Sequence, residues 1–272
     1  MPQRPDTTGS APSPHPRRRR SATRTTLTAL VATAAIALLG ACSPEQFQQW
    51  WIDHGNAPLE EPALSQAAAA ATAYWDEIAR EARFVYEVRE IDAALAERMT
   101  PTSWRPGCPV PLDQLRYVRV SYMRFDGTEQ IGELVLHRDV AHYLLGVFQT
   151  LWNEDFRFER MQLVDDFGGD DAASMAANNT SAFNCRAVAG TSTWSQHSYG
   201  TAIDINPVQN PYVSGGQVDP PAGGAYLDRG DVRPGMMVAG GVGVNVFRFV
   251  GWGWGGTWSS AKDYQHVSLS GT

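Results

Sequence analysis

The 272-residue sequence has no internal repeat, which excludes an array of stacked units. It also lacks an apolar run long enough to span a bilayer. The stretch from Leu27 to Leu39 falls well short of the roughly 20 residues that a transmembrane helix needs. Cysteine is scarce, with three in the whole chain. Positive charge is scarce beyond the first 41 residues. That segment holds six of the 22 basic residues and one of the 29 acidic ones, leaving 16 against 28 and a net charge of −12. So acidic a domain repels nucleic acid and anionic lipid surfaces, and no nucleic acid is expected as a partner. The acid-rich stretch Asp165–Asp171 lacks the regular ligand alternation and closing Glu of a calcium loop, so it reads as a solvated turn before a short helix.

What is present begins with a leader. Arg17–Arg20 and Arg24 form a basic region, Leu27–Leu39 an apolar one, and Leu39-Gly40-Ala41-Cys42 follows. This order resembles a bacterial lipoprotein signal, with residues 1–41 as the signal peptide and Cys42 as the lipidated first residue of the mature chain. An uncleaved anchor or a soluble secreted protein is the alternative. The resemblance implies export and anchoring at the outer face of the cytoplasmic membrane. Cys108 and Cys185 are then left as a pair in an oxidising compartment, where a disulfide is expected; two buried thiols are the alternative.

Residues 42–64, with Pro44, Pro58 and Pro62, read as a tether. Residues 65–100 carry apolar side chains at helical intervals and read as one long helix or two shorter ones. From residue 101 a separate domain is expected. Leu115–Phe125 and Gln130–His137 read as strands joined by an Asp126-Gly127 turn, and Val140–Asn153 as a helix. Phe158, Met161 and Leu163 suggest another strand. Pro207–Gly243 is rich in Gly and Pro and reads as a long surface excursion. Val244–Val250 reads as a short helix or strand, and Val267 and Leu269 as a last strand.

The chemistry concentrates in two stretches. The first is Ser195-Gln196-His197-Ser198-Tyr199-Gly200-Thr201-Ala202-Ile203-Asp204-Ile205, and the second is Asp263-Tyr264-Gln265-His266. Thr201–Ile205 alternates as a strand does, placing Asp204 on one face and Ile203 and Ile205 on the other. Gly200 permits a bend that returns His197 towards Asp204. Two imidazoles and a carboxylate can hold a zinc ion and leave a coordination position open, as catalytic sites do. His197, Asp204 and His266 are the candidate ligands, and Asp263 the candidate general base. His137 and His142 are read as structural.

Together the motifs S-x-H-x-x-G-x-A-x-D-[IL] and D-x-x-H resemble the signature of the zinc D-alanyl-D-alanine carboxypeptidase family, which includes VanX- and VanY-type enzymes and L-alanyl-D-glutamate endolysins. The resemblance spans roughly residues 105–270. It implies an α+β fold of the Hedgehog/DD-peptidase type, a small antiparallel sheet with flanking helices. It implies Zn2+ as cofactor, peptidoglycan stem peptides as substrate and a D-Ala-D-Ala carboxypeptidase or L-Ala-D-Glu endopeptidase activity. A catalytically silent zinc-containing cell-wall-binding module is the alternative. By the same resemblance Arg186 binds substrate and stabilises the oxyanion, with a surface salt bridge as the alternative, and Ser195 contacts substrate. Gly251–Trp258 resembles the family's W-G-G-x-W segment; its tryptophans line the groove or fill its floor, with packing in the core as the alternative. Lys262 precedes the candidate base, either to hold its charge or as a plain exposed lysine. A monomer is expected.

Overall fold

The computed structural model describes residues 60–272, together with Gln49, Ile52 and Asp53. The expected signal peptide 1–41, the lipidation site Cys42 and most of the tether 42–64 lie outside the described residues. The chain divides into two compact units, residues 1–78 and 79–272. Helix α1 (Glu61–Arg83) supplies most of what is described of the first, and its last residues open the second. Its run of alanines from Ala67 to Ala71 has the highest intrinsic helix propensity of any residue type.

In the second unit a three-stranded antiparallel sheet is formed by β1 (Tyr86–Glu90), β2 (Leu115–Met123) and β3 (Glu129–His137), with β2 central. The helix expected over residues 65–100 is thus interrupted. α1 ends at Arg83 and α2 covers Ala93–Met99, but Tyr86–Glu90 is a strand. Phe84, Val88, Ile91 and Leu95 satisfy a helical period. Phe84 and Val88 equally satisfy a period of two, and the β-favouring residues Val85, Tyr86 and Val88 decide the outcome locally. Pairing settles it, since Val88 lies opposite Val118 of β2. Asp92 then starts α2 afresh by accepting the Leu95 N–H at 2.9 Å.

The β2–β3 hairpin turns at Asp126-Gly127 as expected. Gly127 has a φ of +82°, its N–H bonds the Arg124 carbonyl, and Asp126 Oδ1 accepts the Thr128 N–H. Helix α3 (Arg138–Asn153) begins directly after β3, with the His137 ring accepting the Asp139 N–H. It buries Val140, Leu144, Val147, Phe148 and Leu151 in the main core with the sheet. Each such side chain contributes about 1.5–3 kcal/mol on leaving water.

The strand expected around Phe158–Leu163 shortens to β4 (Arg160–Met161), which pairs in parallel with β5 (Asn179–Thr180). It stops because the Asn179 side chain takes over: Oδ1 accepts the Gln162 N–H and Nδ2 donates to the Gln162 carbonyl. Between them lies α4 (Asp171–Ala176), capped by Asp170. Strand β6 (Ala202–Asp204) joins a second sheet, and β7 (Tyr212–Ser214) and β8 (Gln217–Asp219) form a hairpin in a third. Helix α5 (Val242–Phe249) follows. β9 (Gly253–Trp254), β10 (Lys262–Asp263) and β11 (His266–Ser268) complete strand orders β6-β11-β9 and β10-β7-β8. The fold class is α+β, as expected.

Residues 207–243 are more than the expected surface excursion. Asn210, Met236 and Met237 are buried. Polar anchors hold the segment in place of a periodic apolar pattern. Asn206 and Asn210 both donate to the Gly235 carbonyl, and Asn210 Oδ1 accepts the Met237 N–H and Arg229 Nη2.

Cys108 and Cys185 form a disulfide closing a separation of 77 residues. It ties the entry segment before β2 to the chain that leads into His197. A loop of this length implies about 4 kcal/mol of stabilisation at most. Replacing both cysteines by serine should therefore lower the melting midpoint by up to about 12 °C. Calorimetry of the double variant checks this, and an unchanged midpoint would show that the bridge adds nothing to stability.

Candidate metal centre

The site is built on a strand pair. In the β6–β11 register Asp204 lies opposite His266, and Ile203 lies opposite Val267. Ile203 and Val267 are fully buried in the main apolar core with Ile205, Phe247 and Trp254. Directly opposed residues share a face and adjacent ones alternate, so core packing of the Ile203–Val267 pair turns the Asp204–His266 pair together to the other side.

His197 comes from the turn just before β6. A 3-10 turn, Gln196–Tyr199, carries it, with the Ser195 hydroxyl accepting the His197 N–H at 3.3 Å. Gly200 closes the turn at φ +67°. A Cβ there would stand 2.6 Å from the His137 nitrogen, whose N–H bonds the Gly200 carbonyl at 2.8 Å. Glycine is therefore required twice, for its backbone angle and for this close approach.

Three side chains converge. His197 Nε2 lies 3.1 Å from Asp204 Oδ2, and His266 Nδ1 lies 3.0 Å from Asp204 Oδ1. The two ring nitrogens are 3.3 Å apart. One ligand atom from each residue can be chosen so that all lie within 4.8 Å of one another, and all three residues are buried. The far nitrogens are occupied: His197 Nδ1 meets the Ala182 carbonyl at 2.5 Å, and His266 Nε2 the Thr272 carbonyl at 3.3 Å. A carbonyl only accepts, so these far nitrogens carry protons; His197 Nε2 and His266 Nδ1 face Asp204 and would offer their lone pairs to a cation that displaces the protons they share with it. The donor set suits a divalent transition metal.

The electrostatics fit such a guest. Burial alone would raise the Asp204 pKa, but the charge and hydrogen bond of His197, joined by His266, hold it far below the usual carboxylate range. Burial alone would lower the His266 pKa, but the hydrogen bond and charge of Asp204 raise it. Asp263 is displaced the other way. Burial, then the charge of Asp204, push its carboxyl up to about 7 against an ordinary 3.8, outweighing both imidazoles. Asp263 Oδ1 is buried with no hydrogen-bond partner, and a buried acceptor without a donor carries a desolvation cost.

These residues line one cleft of about 560 Å³ with Arg186 and Ser195. Arg186 Nη2 is paired with Asp171 at 2.7 Å, while its Nε is buried and unpartnered. Of the tryptophans, Trp252 and Trp254 fill the core, and Trp258 reaches the cleft with its ring centroid 5.6 Å from that of His266. Lys262 does not hold the charge of Asp263, since its Nζ bonds the Trp258 carbonyl. His137 caps α3 and His142 is exposed on it; neither belongs to the cluster. Sequence reasoning missed Tyr212 and Asp219, which also line the cleft. The signal was there in Tyr-Val-Ser-Gly-Gly-Gln-Val-Asp, two short β-favouring runs around a two-glycine turn.

A stability prediction follows from Asp263. In the metal-free protein its folded-state pKa is raised, so the folded state keeps a proton that the unfolded chain releases. The stability from this group is fully present below pH 3.8 and is lost as pH rises to about 7. Asp263→Asn should remove that loss and make the chelated protein more stable than the parent at pH 8, but not at pH 4. Urea unfolding at both values checks this; equal differences at the two pH values would contradict it.

Residues 189–269 match the sequence profile of a peptidase family described as D-alanyl-D-alanine carboxypeptidase. No curated protein and no solved structure shows a significant match to the chain. The match is shorter than the span of residues 105–270 over which the motifs resemble that family. It takes in Ser195, His197, Asp204, Asp263 and His266, and begins after Arg186. The part of the chain that carries the His197, Asp204 and His266 cluster and Asp263 is thus similar to a family described as D-alanyl-D-alanine carboxypeptidase.

Proposed function

We propose that the chain is a zinc-dependent peptidase that hydrolyses an amide bond in peptidoglycan stem peptides, anchored by lipid at Cys42 to the outer face of the cytoplasmic membrane. One observation carries the reading: two histidine nitrogens and a carboxylate converge in a cleft that also holds Asp263, an acid with one buried oxygen left without a partner. The profile match supports the substrate class.

His197 Nε2, Asp204 and His266 Nδ1 would hold the metal. Zinc at that position would supply a Lewis acid for the scissile carbonyl and acidify water to a pKa of about 7. Asp263 takes a proton from the attacking water and returns it to the departing amine. A carboxylate placed beside that water can do both. Arg186 supplies positive charge at the cleft wall where the carbonyl oxygen gains negative charge, with Asp171 fixing its position. Ser195 holds the turn under His197 and offers the same wall a hydroxyl. A silent binding module would have no use for an acid with an unpartnered buried oxygen beside the ligands. An acidic chain and a lipid anchor place the enzyme by the wall without binding it to anionic lipid through charge.

His197→Ala should lose both zinc and activity. Asp263→Ala should keep a full complement of zinc and lose turnover by at least about 100-fold. Elemental analysis and mass spectrometry of products from defined muropeptides give both readouts, and appreciable turnover by the Asp263 variant would remove it as the base. Cys42→Ala should move the protein from the membrane fraction to the soluble fraction; retention in the membrane would refute the lipid anchor.

A further inference from the structure

The segment Asn184–Arg186 is bonded along both of its edges. On one edge the Asn184 N–H donates to the His197 carbonyl at 3.2 Å. The Arg186 N–H donates to the Ser198 hydroxyl at 2.9 Å, and the Arg186 carbonyl accepts the Ser195 N–H at 3.0 Å. Cys185 faces the other way, as alternate residues of an extended chain do. Its N–H donates to the Ser103 carbonyl at 2.9 Å, its carbonyl accepts Arg105 Nη1 at 2.9 Å, and its sulfur is bonded to Cys108. Ser103–Cys108 thus lies against the far edge as a splint. The splint is itself fixed in the interior. Met99 and Ser103 are fully buried, and the Trp104 N–H donates to the Met99 carbonyl at 3.0 Å.

The side chain at the end of this segment is Arg186, which lines the cleft. Its Nη2 is paired with Asp171, and its Nε is buried without a partner. A buried donor without an acceptor costs stability, and a carboxylate or oxyanion brought by an occupant of the cleft would supply the acceptor. The place of that donor follows from the backbone that carries it. Ser103, Arg105, Cys108 and Cys185 all lie outside residues 189–269, the stretch that matches the peptidase profile.

We propose that the splint positions Arg186 for substrate. The Arg105 guanidinium and the Cys108–Cys185 bridge hold the Cys185 backbone, and Cys185 holds its neighbour Arg186 at the cleft wall. Arg105 and the two cysteines are positioning residues, which act through Arg186 and touch no substrate. The bridge therefore serves the geometry of the cleft as well as stability. The substrate side of this assignment rests on the peptidase reading, but the hold on the backbone does not.

Two full-length, zinc-loaded variants test it, assayed well below their unfolding midpoints. Arg105→Gln removes one hold and keeps the bridge; Cys108→Ser with Cys185→Ser removes the bridge. Both should retain a full complement of zinc. In each, kcat/KM on a stem peptide should fall about tenfold. In an Arg186→Gln background, either change should cost less than about twofold, because the residue it acts through is gone. Amide hydrogen exchange reads the hold without turnover. In Arg105→Gln the amides of residues 184–186 should exchange about tenfold faster, with those of β2 and β3 unchanged. An unchanged kcat/KM in both variants, an equal loss with and without Arg186, or unchanged exchange overturns the proposal. Loss of zinc overturns it too, since the effect would then run through His197. Faster exchange in Arg105→Gln with no turnover by the parent refutes the peptidase reading and leaves the splint assigned.

Discussion

The pairing of Asp204 with His266 across β6 and β11 is the constraint on which the site depends. The two residues are 62 positions apart. They meet because Ile203 and Val267, each one step along its strand, are drawn into the same core. Slipping the register by one residue would turn the aspartate inward and bury an unpaired charge. The apolar partners thus fix the position of the polar pair, and the core determines the geometry of the candidate metal site. His197 adds a third candidate ligand from a turn whose shape is set by Gly200.

The cleft is also a place of unresolved charge. Two buried imidazoles, a buried carboxylate and a second acid with an orphaned oxygen stand together. In a protein interior such groups cost stability unless they are paired. A divalent cation would meet the need of the triad, and its field would favour the ionised form of Asp263 as well. Function is the physical reason to keep this arrangement, since apolar residues of similar volume would hold the fold at least as well.

Much of the site was legible in the sequence because its residues sit on strong local signals. Alternation through Thr201–Ile205 gave the face of Asp204, and the glycine after His197 gave the bend. The β2–β3 hairpin and α3 were legible from the Asp126-Gly127 turn and the long apolar period that follows. Two things were hidden. β1 was read as helix because spacings of four residues fit both periods, and only pairing with β2 distinguishes them. The ordering of residues 207–243 depends on side-chain amides bonding to distant carbonyls, and such anchors have no period to read. The pairing of Tyr212 with Asp263 and Asp219 was hidden for the same reason, since register between short strands is a tertiary fact.

The bond from the His137 N–H to the Gly200 carbonyl joins the first residue before α3 to the turn that holds His197. Helix α3 is packed into the centre of the core. The turn therefore has no opening motion of its own: to swing His197 outward, the chain must also loosen the start of its best-buried helix. Sites that open only with a large part of the fold release their contents slowly. An ion captured here would be retained by the kinetics of the whole domain as much as by the strength of its three bonds.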